Sequence, residues 1–105
     1  VNERQEIFSN PNSQVKIENI ITGKNSLNGI VITIDHKSAQ YSDMSWGHSY
    51  DEVGVVIEGE LDIDLDDEKY NLKKGDTIFI KSFTPHRYRN PIDSRSIVYW
   101  FSIRK

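Results

Sequence analysis

The stretch Trp46 to Gly59, WGHSYDEVGVVIEG, carries two kinds of information at once. His48 stands four residues ahead of a carboxylate, Glu52. From Glu52 the chain runs through Val53, Val55, Val56 and Ile57, whose branched side chains suit an extended, pleated backbone. Gly59 ends the run with a residue free to turn. The stretch therefore predicts a long strand over Glu52 to Glu58. On an extended backbone, residues two apart share a face, which groups His48, Tyr50, Glu52, Gly54 and Val56. An imidazole and a carboxylate on one face form a candidate metal pair. The same two groups also hydrogen-bond one another without any ion.

Outward from this stretch the pattern repeats. Short β-rich runs alternate with turn residues, and no helical periodicity interrupts them. Strands are expected at Val15 to Ile21, Ile30 to Asp35, Leu61 to Asp66, Lys69 to Leu72, Thr77 to Lys81, His86 to Asn90 and Ser96 to Ile103. The Asp66 to Lys69 and Lys73 to Asp76 stretches and the region around Pro91 read as turns, and His36 to Ser45 as irregular. LDIDLD alternates cleanly, with Leu61, Ile63 and Leu65 to one face and the aspartates to water. Asp62, Asp64, Asp66, Asp67 and Glu68 accordingly read as a solvated face. Arg87 and Arg89 alternate away from His86 and read as surface residues, and His36 as exposed. Trp100, inside the most apolar run, reads as core. The class is all-β, a small antiparallel β-barrel or jelly roll, which also removes unpaired strand edges.

The bulk properties narrow the function. One domain over 1–105 suits a chain of 105 residues. With no Cys, disulfides and thiolate metal sites are excluded, and the expected compartment is cytoplasmic. No apolar run reaches the roughly 18 residues that a membrane helix requires. A net charge of −3, with acidic residues as the densest cluster, argues against direct nucleic-acid binding by this segment. Neither a Ser-His-Asp order nor a phosphate-cradling glycine loop is evident, and no catalytic residue is assigned.

Two motifs in register resemble the cupin superfamily. Its first motif, G-x5-H-x-H-x3-4-E-x6-G, is met by His48, Glu52 and Gly59, with Trp46 at the first histidine position. Its second, G-x5-P-x-G-x2-H-x3-N, is met by Gly75, His86 and Asn90, with Lys81 at the proline and Phe83 at the glycine. The resemblance implies a jelly-roll cupin barrel with these faces turned inward. It implies a metal set of His48, Glu52 and His86, leaving open positions suited to one divalent ion of Fe, Mn, Ni or Zn. Trp46 ligates nothing, because its indole N–H only donates. Without an ion, the three residues form a hydrogen-bonding group in a wet barrel.

A closer resemblance lies with the C-terminal cupin sensor domains of bacterial helix-turn-helix transcription regulators. It rests on Glu52 to Leu61, the Gly75-Asp76 turn, and Pro85 to Asn90. It implies a small-molecule-sensing and dimerising domain, with effector bound in the barrel interior and Trp46, Tyr50 and Tyr88 lining the site. A homodimer is expected, with DNA reached only through an N-terminal domain. The first residue, Val1, fits a fragment of such a longer chain. The competing reading is a free-standing metal-dependent enzyme, a dioxygenase or isomerase, with the same ligands. The incomplete ligand set favours the sensor.

Overall fold

The computed structural model describes residues 4–10, 14–20, 26–45 and 47–103. Its strands are β1 (Gln5–Asn10), β2 (Val15–Asn19), β3 (Leu27–Ile34), β4 (Glu52–Glu58), β5 (Glu60–Leu65), β6 (Glu68–Lys73), β7 (Thr77–Ile80), β8 (His86–Arg89) and β9 (Ser96–Ile103). They form a six-stranded sheet, β1-β2-β3-β9-β4-β7, and a three-stranded sheet, β6-β5-β8. All pairings are antiparallel. The fold is thus the all-β antiparallel jelly roll that the patterning predicts. Among the described residues, no helix is long and apolar enough to cross a membrane.

The strongest apolar run organises the larger sheet. Strand β9 pairs along its whole length with β3, from Leu27↔Ile103 to Ile34↔Ser96. Its other edge holds β4, with the register shifting between Val56 and Glu58. The long partner explains why β3 begins at Leu27, before the β-branched run: Asn28 and Gly29 are drawn into the ladder opposite Ser102 and Phe101. Strand β1 precedes the first strand expected from the sequence. QEIFSN offers little alternation, and the strand forms by pairing with β2.

The inward faces of both sheets meet in one core. Ile32, Ile34, Val56, Leu61, Ile63, Leu72, Ile80, Val98 and Trp100 form it. Trp100 lies over Gly54, where an added Cβ would stand 2.5 Å from the indole ring. Glycine is therefore needed opposite the tryptophan, and a side chain there would overpack the core. Gly59 ends β4 at φ +74°, a backbone that glycine takes without strain. The β5–β6 hairpin closes through Asp66 and Asp67, with Asp66 at φ +53°.

The outer face of the smaller sheet corrects the solvated-aspartate expectation. Leu61 and Ile63 do point inward, but Asp64 is only 5% exposed. Strand pairing sets Asp64 opposite Arg87 and Lys69, and Asp62 opposite Arg89. Asp64 Oδ2 accepts from Arg87 Nε at 2.9 Å and Lys69 Nζ at 3.1 Å, while Asp62 Oδ2 accepts from Arg89 Nε at 3.0 Å. The ring of Tyr41 covers these cations, with Arg87 at 4.8 Å, Arg89 at 5.0 Å and Lys69 at 5.4 Å from its centroid. Arg87 and Arg89 are thus working members of a packed polar layer rather than free surface charges.

Tyr41 belongs to an irregular segment that lies along the outer edge of β8. Ser38 N–H donates to Asn90 O at 2.9 Å, Ser42 N–H to Tyr88 O at 2.7 Å, and Ser45 N–H to His86 O at 2.8 Å. Ser38 Oγ and Ser42 Oγ accept from Asn90 N–H and Tyr88 N–H in return. The edge of β8 is therefore satisfied by serines that alternate backbone and hydroxyl contacts.

Burial by itself raises the Asp64 carboxyl, but the hydrogen bonds and charges of Arg87 and Lys69 outweigh it and hold the group below 3.8. The unfolded chain therefore binds the more protons in the window below 3.8, so this contribution is present above it and is lost as pH falls through the folded value. Urea unfolding measured across the acid range is expected to show a steep acid loss in the wild type. In Asp64→Asn that loss is expected to be shallower, with lower stability at neutral pH because Arg87 and Lys69 lose their buried partner.

Candidate metal centre and adjoining cleft

Regular strand geometry does not deliver His48. Strand β4 begins at Glu52, and residues 47–51 form a bent approach to it. Gly47 sits at φ +97°, and an added Cβ would stand 2.6 Å from the main chain of Phe83. Phe83 N–H donates to His48 O at 2.8 Å, and Ser82 N–H to Asp51 Oδ1 at 2.8 Å. The approach to β4 is thereby packed against the loop that leads into β8. On the other side, Ser45 and His86 exchange both backbone hydrogen bonds, at 2.8 and 2.9 Å.

These contacts bring the three expected ligands together. His48 Nε2 lies 3.5 Å from Glu52 Oε1, and the rings of His48 and His86 are 5.9 Å apart. Donor atoms of His48, Glu52 and His86 all fall within 4.8 Å of one another, the one such group of His, Asp or Glu among the described residues. His86 Nδ1 stands 2.9 Å from Thr84 O. A carbonyl only accepts, so Nδ1 donates in this contact, which leaves Nε2 as the ring atom able to face an ion. That is the orientation a metal-binding imidazole takes. Glu52 is 13% exposed and His48 42%, so the carboxylate sits at the base and one imidazole faces solvent. The donors are borderline nitrogen and hard oxygen, a set that suits a divalent transition ion and no thiolate-seeking one.

The expected lining residues take different positions. Tyr50 stacks on His48, centroids 5.0 Å apart and planes at 7°. Tyr88, opposite Ile63, packs against the core, and burial pushes its hydroxyl up to about 12. Trp46 lies outside the described residues. Core side chains, Trp100 foremost, occupy the interior. A cleft of about 470 Å3 is shared by Glu52 and Tyr50 and walled by Val53, Phe79 and Phe101 on the outer face of the larger sheet. His36 is exposed, as expected, and borders a separate cleft with Asp35, Glu58 and Arg95.

Two residues gain roles that their spacing does not disclose. Asn90 is fully buried, and its Nδ2 donates to Ile34 O, His36 O and Ser94 O while Oδ1 accepts from Ile92 N–H. The motif asparagine is thus a structural bracket behind the site. Phe83, at the motif's glycine position, has φ +63° and is 70% exposed. A left-handed backbone at such a residue stores strain of order 1 kcal/mol or more. The left-handed backbone explains why glycine suits the position; the phenyl ring is the departure.

A family model described as Cupin domain matches residues 32–102. The chain belongs to the cupin family. An uncharacterized protein of Methanocaldococcus jannaschii is 34% identical over 73 residues, covering 69% of this chain and 55% of that protein. This cupin therefore spans about half the length of that curated relative. Among solved structures, Fe(II)-HppE with an alternative substrate superposes at TM-score 0.81 with 18% identity, over 96% of this chain and 56% of that one. The Cupin_2 domain of an XRE family transcriptional regulator from Enterobacter cloacae superposes at 0.76 with 20% identity, over 88% of this chain and 98% of that one. At these identities the two structures speak for the fold.

Three protein donors leave no spare ligand. Isothermal titration of Mn2+, Ni2+ or Zn2+ is expected to show that His48→Ala, Glu52→Gln and His86→Ala each weaken binding at least tenfold. Tyr50→Phe is expected to bind as the wild type does.

Proposed function

We propose that this cupin is the small-molecule-sensing and dimerising domain of a transcription regulator. Effector enters at the barrel mouth, and its head meets His48, Glu52 and His86 in the barrel, with Tyr50 beside them. What supports the reading is the likeness of Glu52 to Leu61, the Gly75-Asp76 turn and Pro85 to Asn90 to regulator cupins, with the regulator cupin from Enterobacter cloacae sharing the fold over 88% of this chain and 98% of its own. The three donors would hold one divalent ion, Fe, Mn, Ni or Zn. Such an ion supplies positive charge and open positions for an oxygen-bearing ligand. Sensing then requires that effector bind two arrangements of the domain with different affinity.

The proposed homodimer draws on the outer face of the six-stranded sheet. Register aligns Phe101, Val53 and Phe79 in one row across β9, β4 and β7. Val53 is 41% exposed and Phe79 61%, and Leu27 and Ile103 beside them are also exposed. A second copy of the same face would cover the row by two-fold pairing, residue against reciprocal residue. A cytoplasmic regulator of this kind would reach DNA through an N-terminal domain, with none of the binding contributed by this acidic segment.

A second reading, a free-standing metal-dependent dioxygenase or isomerase, draws on the same three ligands and on the likeness to Fe(II)-HppE. The two part on the encoding gene and on assembly. Sequencing the gene is expected to place a helix-turn-helix segment upstream of Val1. A start codon immediately before Val1 would overturn the sensor reading. Sedimentation is expected to find a dimer at micromolar concentration and a monomer in Phe79→Lys. A wild-type monomer at high micromolar concentration would remove the dimer.

A further inference from the structure

Phe83 joins two properties that the fold does not explain. Its backbone is left-handed, at φ +63°, where a bulky side chain is disfavoured and glycine is at ease. Its ring is 70% exposed, so the phenyl contributes little to the core. The strain is held by neighbours on both sides. Phe83 N–H donates to His48 O at 2.8 Å, Thr84 N–H donates to Lys81 O at 3.2 Å, and the Phe83 main chain presses on Gly47. Thr84 O in turn fixes the His86 ring at 2.9 Å. Phe83 is thus anchored by its backbone between the two imidazole-bearing segments, with its side chain largely exposed. Ser82, the residue before it, lines the cleft that Glu52 and Tyr50 share.

We infer that Phe83 is a ligand-contacting, specificity-determining residue: its ring covers a flat apolar group on a small molecule whose oxygen-bearing head sits at His48, Glu52 and His86. The inference rests on reading that cluster as a ligand site. It deepens that reading by naming the ligand class, a small oxygen donor, such as a carboxylate or an alcohol, carrying an aromatic or similarly flat substituent. Stacking on the ring accounts for a phenyl where glycine would fit the backbone. The polar cluster alone would accept any small oxygen donor, and the apolar rim is what selects among them.

The test compares phenyl and methyl members of matched pairs by NMR on 15N-labelled protein. Phenylacetate and propionate are titrated into Zn2+-treated protein. Benzyl alcohol and ethanol are titrated into metal-free protein, where a neutral imidazole nitrogen accepts a hydroxyl proton. In the wild type, the phenyl member is expected to shift the amides of Gly47, Phe83 and Thr84 at a concentration roughly three- to tenfold lower than its partner. Phe83→Gly and Phe83→Asn, both suited to a left-handed backbone, are expected to bring that ratio to one while the melting temperature stays level or rises. Equal affinities within each pair in the wild type, or a ratio that survives in both variants, would overturn the inference. So would a sharp fall in melting temperature in both, which would assign the ring to the fold. Absence of any Zn2+ effect on the His48 and His86 imidazole signals would count against the metal alone, and the metal-free pair would still decide the role of Phe83.

Discussion

The exchange of hydrogen bonds between Ser45 and His86 is the contact on which the site depends. His86 opens β8, and Ser45 ends the irregular segment that runs along its edge. Three residues after Ser45 the chain presents His48, and four further on β4 presents Glu52. One local pairing therefore decides whether donors far apart in sequence face one another. A slip there by a single residue would reverse the side-chain direction of the partner and dissolve the cluster.

A polar layer outside the barrel holds that pairing in place. The segment has few apolar residues with which to dock, so it docks by saturating hydrogen bonds and by one aromatic ring. Tyr41 spreads over Arg87, Arg89 and Lys69, and Asp62 and Asp64 neutralise the cations from beneath. Exposed ion pairs contribute little in general. Asp64 differs because it is buried, so loss of either cation leaves a charge without water. Asn90 acts similarly from the far end of β8, answering carbonyls of Ile34, His36 and Ser94. The apolar core fixes the sheets, and these polar contacts fix the loops to the sheets.

Much of this was legible in the sequence, though not always for the right reason. Alternation and turn residues disclose the strands from Val15 onward, because their apolar faces are the core. Strand β1 was not legible, since Gln5, Glu6, Ser9 and Asn10 carry no such signal and the strand exists through its neighbour. The two motifs correctly brought His48, Glu52 and His86 together. His48 and Glu52 do not share a strand face, because residues 47–51 are not a strand and the convergence comes from Gly47 and the Phe83 loop. Burial of Asp64 was hidden because its partner Arg87 lies 23 residues away, and no local pattern announces a cross-strand ion pair. Tyr88 shows a related limit. Alternation set it inward, but only packing distinguishes a residue in the core from one lining open space.

The division between a rigid floor and a variable rim follows from the same packing. Trp100 lies within van der Waals reach of Gly54, two residues past Glu52, so the floor beneath the carboxylate has no room to change. Any side chain at Gly54 would displace the indole and, through it, the central strand pair β4–β9. The rim is built otherwise. Residues 47–51 and 81–84 are joined to each other by a backbone hydrogen bond and one aspartate, and Phe83 among them is largely exposed. The base is therefore held by the sheets, and the selectivity proposed for the site would lie with the loops of the rim. Phe83 stands on that rim, where glycine would have served the backbone, and its ring is the feature that the barrel itself does not demand.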